Sequence, residues 1–360
     1  MRAWLLDYLR CPLTGGVLRP EEVRWRGDRI NSGRLVCDHG PTAYPIIRGI
    51  PRLIPGLRSE VDLRRVYADS FGHQWNTFDW PRARDEQEYF SISDQTPQSL
   101  DGLTVLDAGC GGGRLSRVIG RHCRRLIGLD YSVAVERAAC HTGDLDNCEF
   151  VQGDILRPPL AREAFDYVWS HGVLHHTPDA RAGFGQLARL VRPTGRLHVI
   201  VFLKAWLPLR LSDSLVRTWM RRLPYRVATR ICRAMGALRH VPAASFWKRF
   251  FWFSLQPTAE LRTCCNFDWY TPRYHHEHTF EQVAGWFRDA GFEDVRYING
   301  WPDAPPREKF TPPGFSRRSR LGQLLGVVGR RPPAGATLAP QADRAHPSAD
   351  TRQVAVLAPR

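Results

Sequence analysis

Between Leu103 and Phe202 the chain alternates short β-rich runs with intervals of helix length: LTVLDAG, RLIGLD, CEFVQGD, FDYVWS and GRLHVIVF. Strands spaced in this way pair in parallel, because each return to the same end of a sheet needs a crossover, usually a helix. The first run breaks into VLDAGCGGGRLS, Val105 to Ser116, so an acid and bare glycine backbone stand where the first strand ends. Open α/β sheets bind their ligands beyond the carboxyl ends of the strands, and this loop is where one is expected.

The pattern around the glycines narrows the ligand. A dinucleotide fingerprint G-x-G-x-x-G begun at Gly109 meets Arg114 in its last position, and begun at Gly111 it meets Ser116. A phosphate-cradling loop needs Gly-Lys-Ser/Thr, and no lysine stands in the region. What stands there is D-x-G-x-G-x-G: Asp107, Gly109, Gly111 and Gly113. A second acid, Asp130, closes the run RLIGLD, and a third, Asp154, closes CEFVQGD.

This ordered series resembles the class I S-adenosylmethionine-dependent methyltransferases. The resemblance implies an α/β fold with a Rossmann-like sheet and S-adenosylmethionine as cofactor. It implies that Asp107 takes the cofactor's α-amino group and that Gly109, Gly111 and Gly113 let the backbone approach its sugar and methionine part. Asp130, with Tyr131 beside it, would hold the ribose hydroxyls; Asp154 would hold the adenine amino group, with Ile155 on the ring and Ser170 lining the same site. The fourth strand ends in HGVLHHTPD, the segment that in such enzymes faces the reactive methyl. Histidine titrates near neutrality, which makes His171, His175 and His176 the candidate bases. The strand end reads SHGV and lacks the N/D-P-P-Y/F signature of DNA and protein amino-methylating enzymes, which favours a small acceptor. Oxygen, nitrogen and carbon all remain open as the methylated atom.

A second histidine group stands in FDWYTPRYHHEHTF. HHEH lacks the i, i+4 pairing of a helical metal motif, so no metal is assigned to it. By the same resemblance this segment lies near the active-site entrance, which makes Asp268, Tyr270 and Tyr274 candidate acceptor contacts.

The flanks divide the chain further. Residues 1–58 resemble a small zinc ribbon, but Cys11 and Cys37 have Thr14 and Gly40 where the second cysteine of each corner would be. Structural zinc wants four ligands, and the ribbon reads as degenerate and metal-free even with His39 nearby. Residues 59–100 read as a helical lead-in covering the cofactor site, with Tyr67, Phe71 and Trp75 at helical spacing. The methyltransferase core spans 101–202, a basic aromatic helical cap 203–265, and the rest of the domain 266–318. The Pro- and Ala-rich residues 330–360 read as disordered.

The net charge of +15 is concentrated: residues 201–250 hold eleven Lys or Arg against the single acid Asp213. In the cap, Val227, Ile231, Met235 and Leu238 share one helical face, and FWKRFFWFSL follows. The expectation is an apolar inner wall packed on the core, with a solvated basic rim. An acidic or amphipathic acceptor, or peripheral contact with an anionic membrane surface, are the sharper readings. Nine cysteines without disulfide-like spacing, no signal-peptide layout and no apolar run near ~18 residues point to the cytoplasm. The expected function is methylation of a small molecule, a secondary metabolite or a cell-surface glycan precursor. The alternatives are an RNA methyltransferase, against which the lack of an RRM or KH motif speaks, and a non-catalytic methyltransferase-fold partner.

Overall fold

The computed structural model describes residues 1–40, 42–56, 74, 77–78, 84–205, 207–248, 250–299 and 324–335. The stripe Tyr67, Phe71 and Trp75 and the tail from residue 336 on lie outside them.

The N-terminal unit is a four-stranded antiparallel sheet in the order β1 (Leu18–Arg26), β2 (Arg29–Cys37), β3 (Ala43–Ile47) and β4 (Ile50–Pro51). The main sheet has eight strands. Its parallel part runs through β5 (Thr104–Ala108), β6 (Arg125–Asp130), β7 (Cys148–Gln152), β8 (Phe165–His171) and β9 (Val191–Leu203). The short β10 (Glu277–His278) pairs with the end of β9. β11 (Glu293–Asn299) and β12 (Leu324–Arg330) complete the order β11-β12-β9-β8-β5-β6-β7. Every residue of β5 and of β7 is buried, as expected for strands covered on both faces.

β12 is antiparallel to both its neighbours and is inserted between β9 and β11. The sequence reading ended the domain at 318 and did not anticipate this strand. Its run LLGVVGR follows a long interval and carries two glycines, a weak strand signal that the pairing with β9 overrides.

Helices flank the sheet: α1 (Asp85–Ile92), α2 (Arg114–Gly120), α3 (Val135–His141) and α4 (Ala180–Ala188). The cap contributes α5 (Leu207–Met220), α6 (Tyr225–Met235) and α7 (Ala259–Tyr270), and α8 (Phe280–Asp289) leads into β11. Thr279 caps α8 in a reciprocal capping box with Gln282, as its sequence announces.

The N-terminal unit shares its core with the sheet: Leu5, Leu9, Leu35 and Tyr44 pack in one cluster with Leu129, Leu160 and Val168. Its attachment to the β7 edge is polar as well. Arg52 is fully buried and donates to Gln152 Oε1 at 3.0 Å and to Glu136 Oε1 at 2.7 Å, while Leu53 N–H donates to the Gln152 carbonyl at 2.8 Å. At the cysteine corners, Thr14 Oγ1 lies 3.2 Å from Cys37 Sγ, and Cys11 Sγ lies 3.5 Å from Tyr44 Oη.

The cap corrects one expectation. α6 buries Ala228, Cys232 and Met235, whereas Val227 and Ile231 remain more than a third exposed. In the aromatic run, Trp252 and Phe253 are buried and Phe246, Trp247 and Phe250 face outward. Lys248 is itself buried, with Nζ 5.4 Å from the Trp252 ring centroid. α6 thus contributes small and sulfur-bearing side chains to an inner wall otherwise built of aromatics such as Trp252, Phe267 and Trp269, and much of the apolar stripe is left outside.

Candidate active site

The strand order reverses at β5, which has β6 on one side and β8 on the other. Side chains at the carboxyl ends of β5, β6 and β8 therefore converge on one crevice.

Asp107, near the end of β5, is 4% exposed and accepts a 2.6 Å hydrogen bond from Ser116 Oγ. Burial pushes its carboxyl up to about 7; the Ser116 bond opposes this and the neighbouring Asp130 adds to it. Among the described residues no cationic side chain forms an ion pair with Asp107. A dry carboxylate of this kind is matched by a cation brought from outside, and an α-ammonium group supplies one.

The glycine loop follows. Gly109 and Gly113 adopt φ of +89° and +77°, in the left-handed region that glycine enters freely. A Cβ on Gly109 would meet Val173 Cγ2 at 2.1 Å, and one on Gly113 would meet Ala138 Cα at 2.6 Å. These two glycines answer to backbone conformation and to packing within the chain. Gly111 N–H donates to Asp130 Oδ2 at 2.8 Å, and Ser132 donates to Oδ1 through its N–H and its hydroxyl. Asp130, half-buried, thereby clamps the loop to the end of β6. Tyr131 beside it is 46% exposed. Asp154 closes an Asx turn onto Leu156 N–H at 2.8 Å, with Ile155 buried next to it.

Ser170 departs from expectation. It is 1% exposed and its hydroxyl donates to the Ala108 carbonyl at 3.0 Å, tying β8 to β5 instead of facing a ligand.

α1 covers the loop from above. Arg114, at the start of α2, donates to both Glu88 oxygens and to Asp85 Oδ1, each at 2.8 Å. The Arg114 guanidinium holds Glu88 below the usual carboxylate range against its burial. Half-buried His171, at the end of β8, is pushed down to about 4 by burial, with Glu88 opposing and Arg114 reinforcing.

Beyond β8 the chain makes a short turn, Leu174–His176, and here distant segments meet. His176 Nδ1 lies 3.0 Å from the Tyr274 carbonyl oxygen, His276 N–H donates to the His175 carbonyl at 2.9 Å, and His276 Nε2 lies 3.0 Å from the Thr177 carbonyl. A carbonyl only accepts, so His176 carries its proton on Nδ1 and presents Nε2 as a lone pair. The His175 ring stacks 3.8 Å from Phe202 and 4.2 Å from His176; His275 lies 4.7 Å from Phe202 and 4.8 Å from Trp269. Burial keeps all three imidazoles well inclined to the neutral form; Asp268 opposes this at His176. Neither ring nitrogen of His175 or of His275 has a hydrogen-bond partner, although all four atoms are buried. Each such atom costs about 1–3 kcal/mol unless a polar group meets it.

Of the entrance residues, Tyr274 is half-buried and Asp268 accepts from Gln74 Nε2 at 3.2 Å. Tyr270 is a correction: it is fully buried and its hydroxyl donates to Asp213 Oδ1 at 3.1 Å and to the Trp252 carbonyl at 2.8 Å, so it braces the cap. The residue missed from sequence is His275. Its signal was the aromatic setting of HHEH, which marks a buried imidazole wall as readily as a surface tract. Among the described residues no group of three or more His, Cys, Asp or Glu has the arrangement to hold a metal ion.

Residues 106–199 match the family described as methyltransferase domain. A Mycobacterium bovis protein named only as a methyltransferase is 28% identical over 133 residues, covering 34% of this chain and 68% of that protein. The malonyl-[acyl-carrier protein] O-methyltransferase of Salmonella typhimurium is 31% identical over 153 residues, 40% of this chain and 58% of its own length. A ubiquinone biosynthesis O-methyltransferase of Rhodopseudomonas palustris is 31% identical over 126 residues, 35% and 50% respectively. The chain therefore spans only half to about two-thirds of these relatives.

Proposed function

We propose that this chain, a class I S-adenosylmethionine-dependent methyltransferase, methylates an oxygen atom of a small, partly apolar acceptor. When bound, the cofactor supplies an electrophilic methyl group on a sulfonium. In-line displacement at such a methyl needs alignment and exclusion of water more than it needs acid catalysis.

The chain's residues divide that work. Asp107 accepts from the cofactor's ammonium group, Asp130 from its ribose hydroxyls, and Asp154 and Ile155 flank its adenine. Tyr131 shields the ribose side. The acceptor lies against the wall of Phe202, Trp269 and the three imidazoles. His176, its Nδ1–H bound to the Tyr274 carbonyl, receives the acceptor's hydroxyl proton at Nε2. His175 and His275 accept or donate hydrogen bonds to the acceptor, and Asp268 stabilises the His176 imidazolium formed in the step.

The observation that carries this reading is the imidazole cluster, walled by aromatics and one turn away from the glycine loop through Val173. Oxygen is favoured because two of the relatives above are named O-methyltransferases.

The test is transfer of labelled methyl from S-adenosylmethionine to a panel of small phenols and carboxylic acids, with matched amines as the comparison. Methyl ethers or esters are expected as products. Transfer to the amines alone would overturn the choice of oxygen.

A further inference from the structure

We propose that the outer face of the cap docks on an anionic lipid bilayer. Two polar residues of α5 point inward beside Leu209 and Met220: Asp213 accepts from Trp269 Nε1 at 3.0 Å and from the Tyr270 hydroxyl, and Arg217 donates to the carbonyls of Trp269 and Pro272. Four of its apolar residues point outward: Leu207, Leu211, Leu215 and Trp219 are 61%, 59%, 72% and 77% exposed. A spacing of four residues lays them along one side of the helix. The Ser212 hydroxyl donates to the Phe250 carbonyl, which brings a second exposed group alongside. There the Phe246 ring lies 5.4 Å from Trp247 and 5.5 Å from Phe250. Single exposed apolar residues are ordinary, but a cluster of this extent marks an interaction surface.

Charge identifies the occupant. Residues 201–250 contain eleven Lys or Arg and one acid, and that acid is Asp213, 3% exposed inside the cap. The cap therefore presents Arg222, Arg226, Arg230 and Arg233 to solvent, and Glu260 at the start of α7 is its exposed carboxylate among the described residues. Leucines and tryptophans standing out from a convex helix need a medium that yields around them, and acyl chains beneath anionic headgroups provide it. A folded acidic protein would satisfy the arginines but would need preformed pockets for four protruding side chains. Among the described residues no helix is long and apolar enough to cross a membrane, so the contact is interfacial. This inference stands apart from the identity of the acceptor, since vesicle binding requires no turnover.

The experiment is sedimentation of the full chain with vesicles of phosphatidylcholine alone and with about one-third phosphatidylglycerol. Binding to the anionic vesicles only, weakened by salt, is the expected result. The double substitution Leu215→Ser with Trp219→Ser should lower partitioning about tenfold or more, and Arg222→Gln with Arg226→Gln should lower it by a similar factor. Calorimetric binding of S-adenosylmethionine, unchanged in both variants, verifies that they fold. The proposal is overturned if the native chain binds neither vesicle or both equally, or if the Leu215/Trp219 variant partitions as the native chain does. It is also overturned if the native chain is a dimer that this variant dissociates, or if an acidic carrier protein binds the cap where vesicles do not.

Discussion

The two halves of the crevice satisfy their polar groups in different ways. In the cofactor half, Asp130 and Asp154 are held by backbone N–H groups a few residues away or in the adjoining loop, and Arg52 is held behind them by Glu136 and Gln152. In the acceptor half, the ring nitrogens of His175 and His275 find no hydrogen-bond partner. Most polar groups of the first half are satisfied by the fold, and Asp107, bonded to Ser116, has no ion-pair partner among the described residues. The second leaves the imidazoles of His175 and His275 without hydrogen bonds, the nearest carboxylate among the described residues being Glu277, with Oε1 3.7 Å from His275 Nε2. On the proposed assignment, preorganisation is concentrated where the ligand is constant, and adaptability where the ligand decides specificity.

The sharpest way to break this comparison is at Arg52. If the cofactor half depends on its internal partners, Arg52→Ala should destabilise the protein by about 2–4 kcal/mol in urea unfolding, because buried Gln152 loses a donor, Glu136 is left with Arg48, and the removed side chain leaves a cavity. A loss below about 1 kcal/mol would mean that the N-terminal unit merely rests on the edge of β7.

In the acceptor half, His176→Ala should reduce turnover about a hundredfold while leaving the affinity for S-adenosylmethionine unchanged. A parallel loss of cofactor affinity would show that the two halves are not separable. Asp107→Asn is the converse: cofactor affinity should fall by about thirtyfold in calorimetry, the scale of one hydrogen bond to a charged group. Were the affinity to remain within a factor of two, Asp107 would be a structural partner of Ser116 and nothing more.

The smallest effect is a pH dependence. Asp107 is raised to about 7 by burial in the free protein, and only its ionised form attracts an ammonium group. Protonation therefore competes with the cofactor as pH falls below about 7. Affinity should rise between pH 6 and pH 8, by at most about tenfold per unit on the acidic side, and level off above. The Asp107→Asn variant should show a flat profile over the same range.

Legibility in the sequence follows the same division. Asp107, Gly109, Gly111, Gly113, Asp130 and Asp154 stand at successive strand ends within fifty residues, and local periodicity was enough to bring them to one edge. Ser170 was misread because a residue at a strand end can bond the neighbouring strand as readily as a ligand, and only the pairing of β8 with β5 shows which. Tyr270 was misread for a related reason: its partner Asp213 is 57 residues away. β12 was missed because a glycine-rich run is a poor strand until a neighbour on each side supplies its hydrogen bonds.

By itself the sequence determined the parallel α/β order, the glycine loop and the three acids, because these are set by short-range alternation and by what a strand end must do. The tertiary structure alone decided the acceptor wall and the outer face of the cap. His176 meets the Tyr274 carbonyl across 98 residues, and Leu211 faces outward because Asp213 and Arg217 found partners within. Which side of an amphipathic helix is buried depends on what stands opposite it, and no local pattern carries that information.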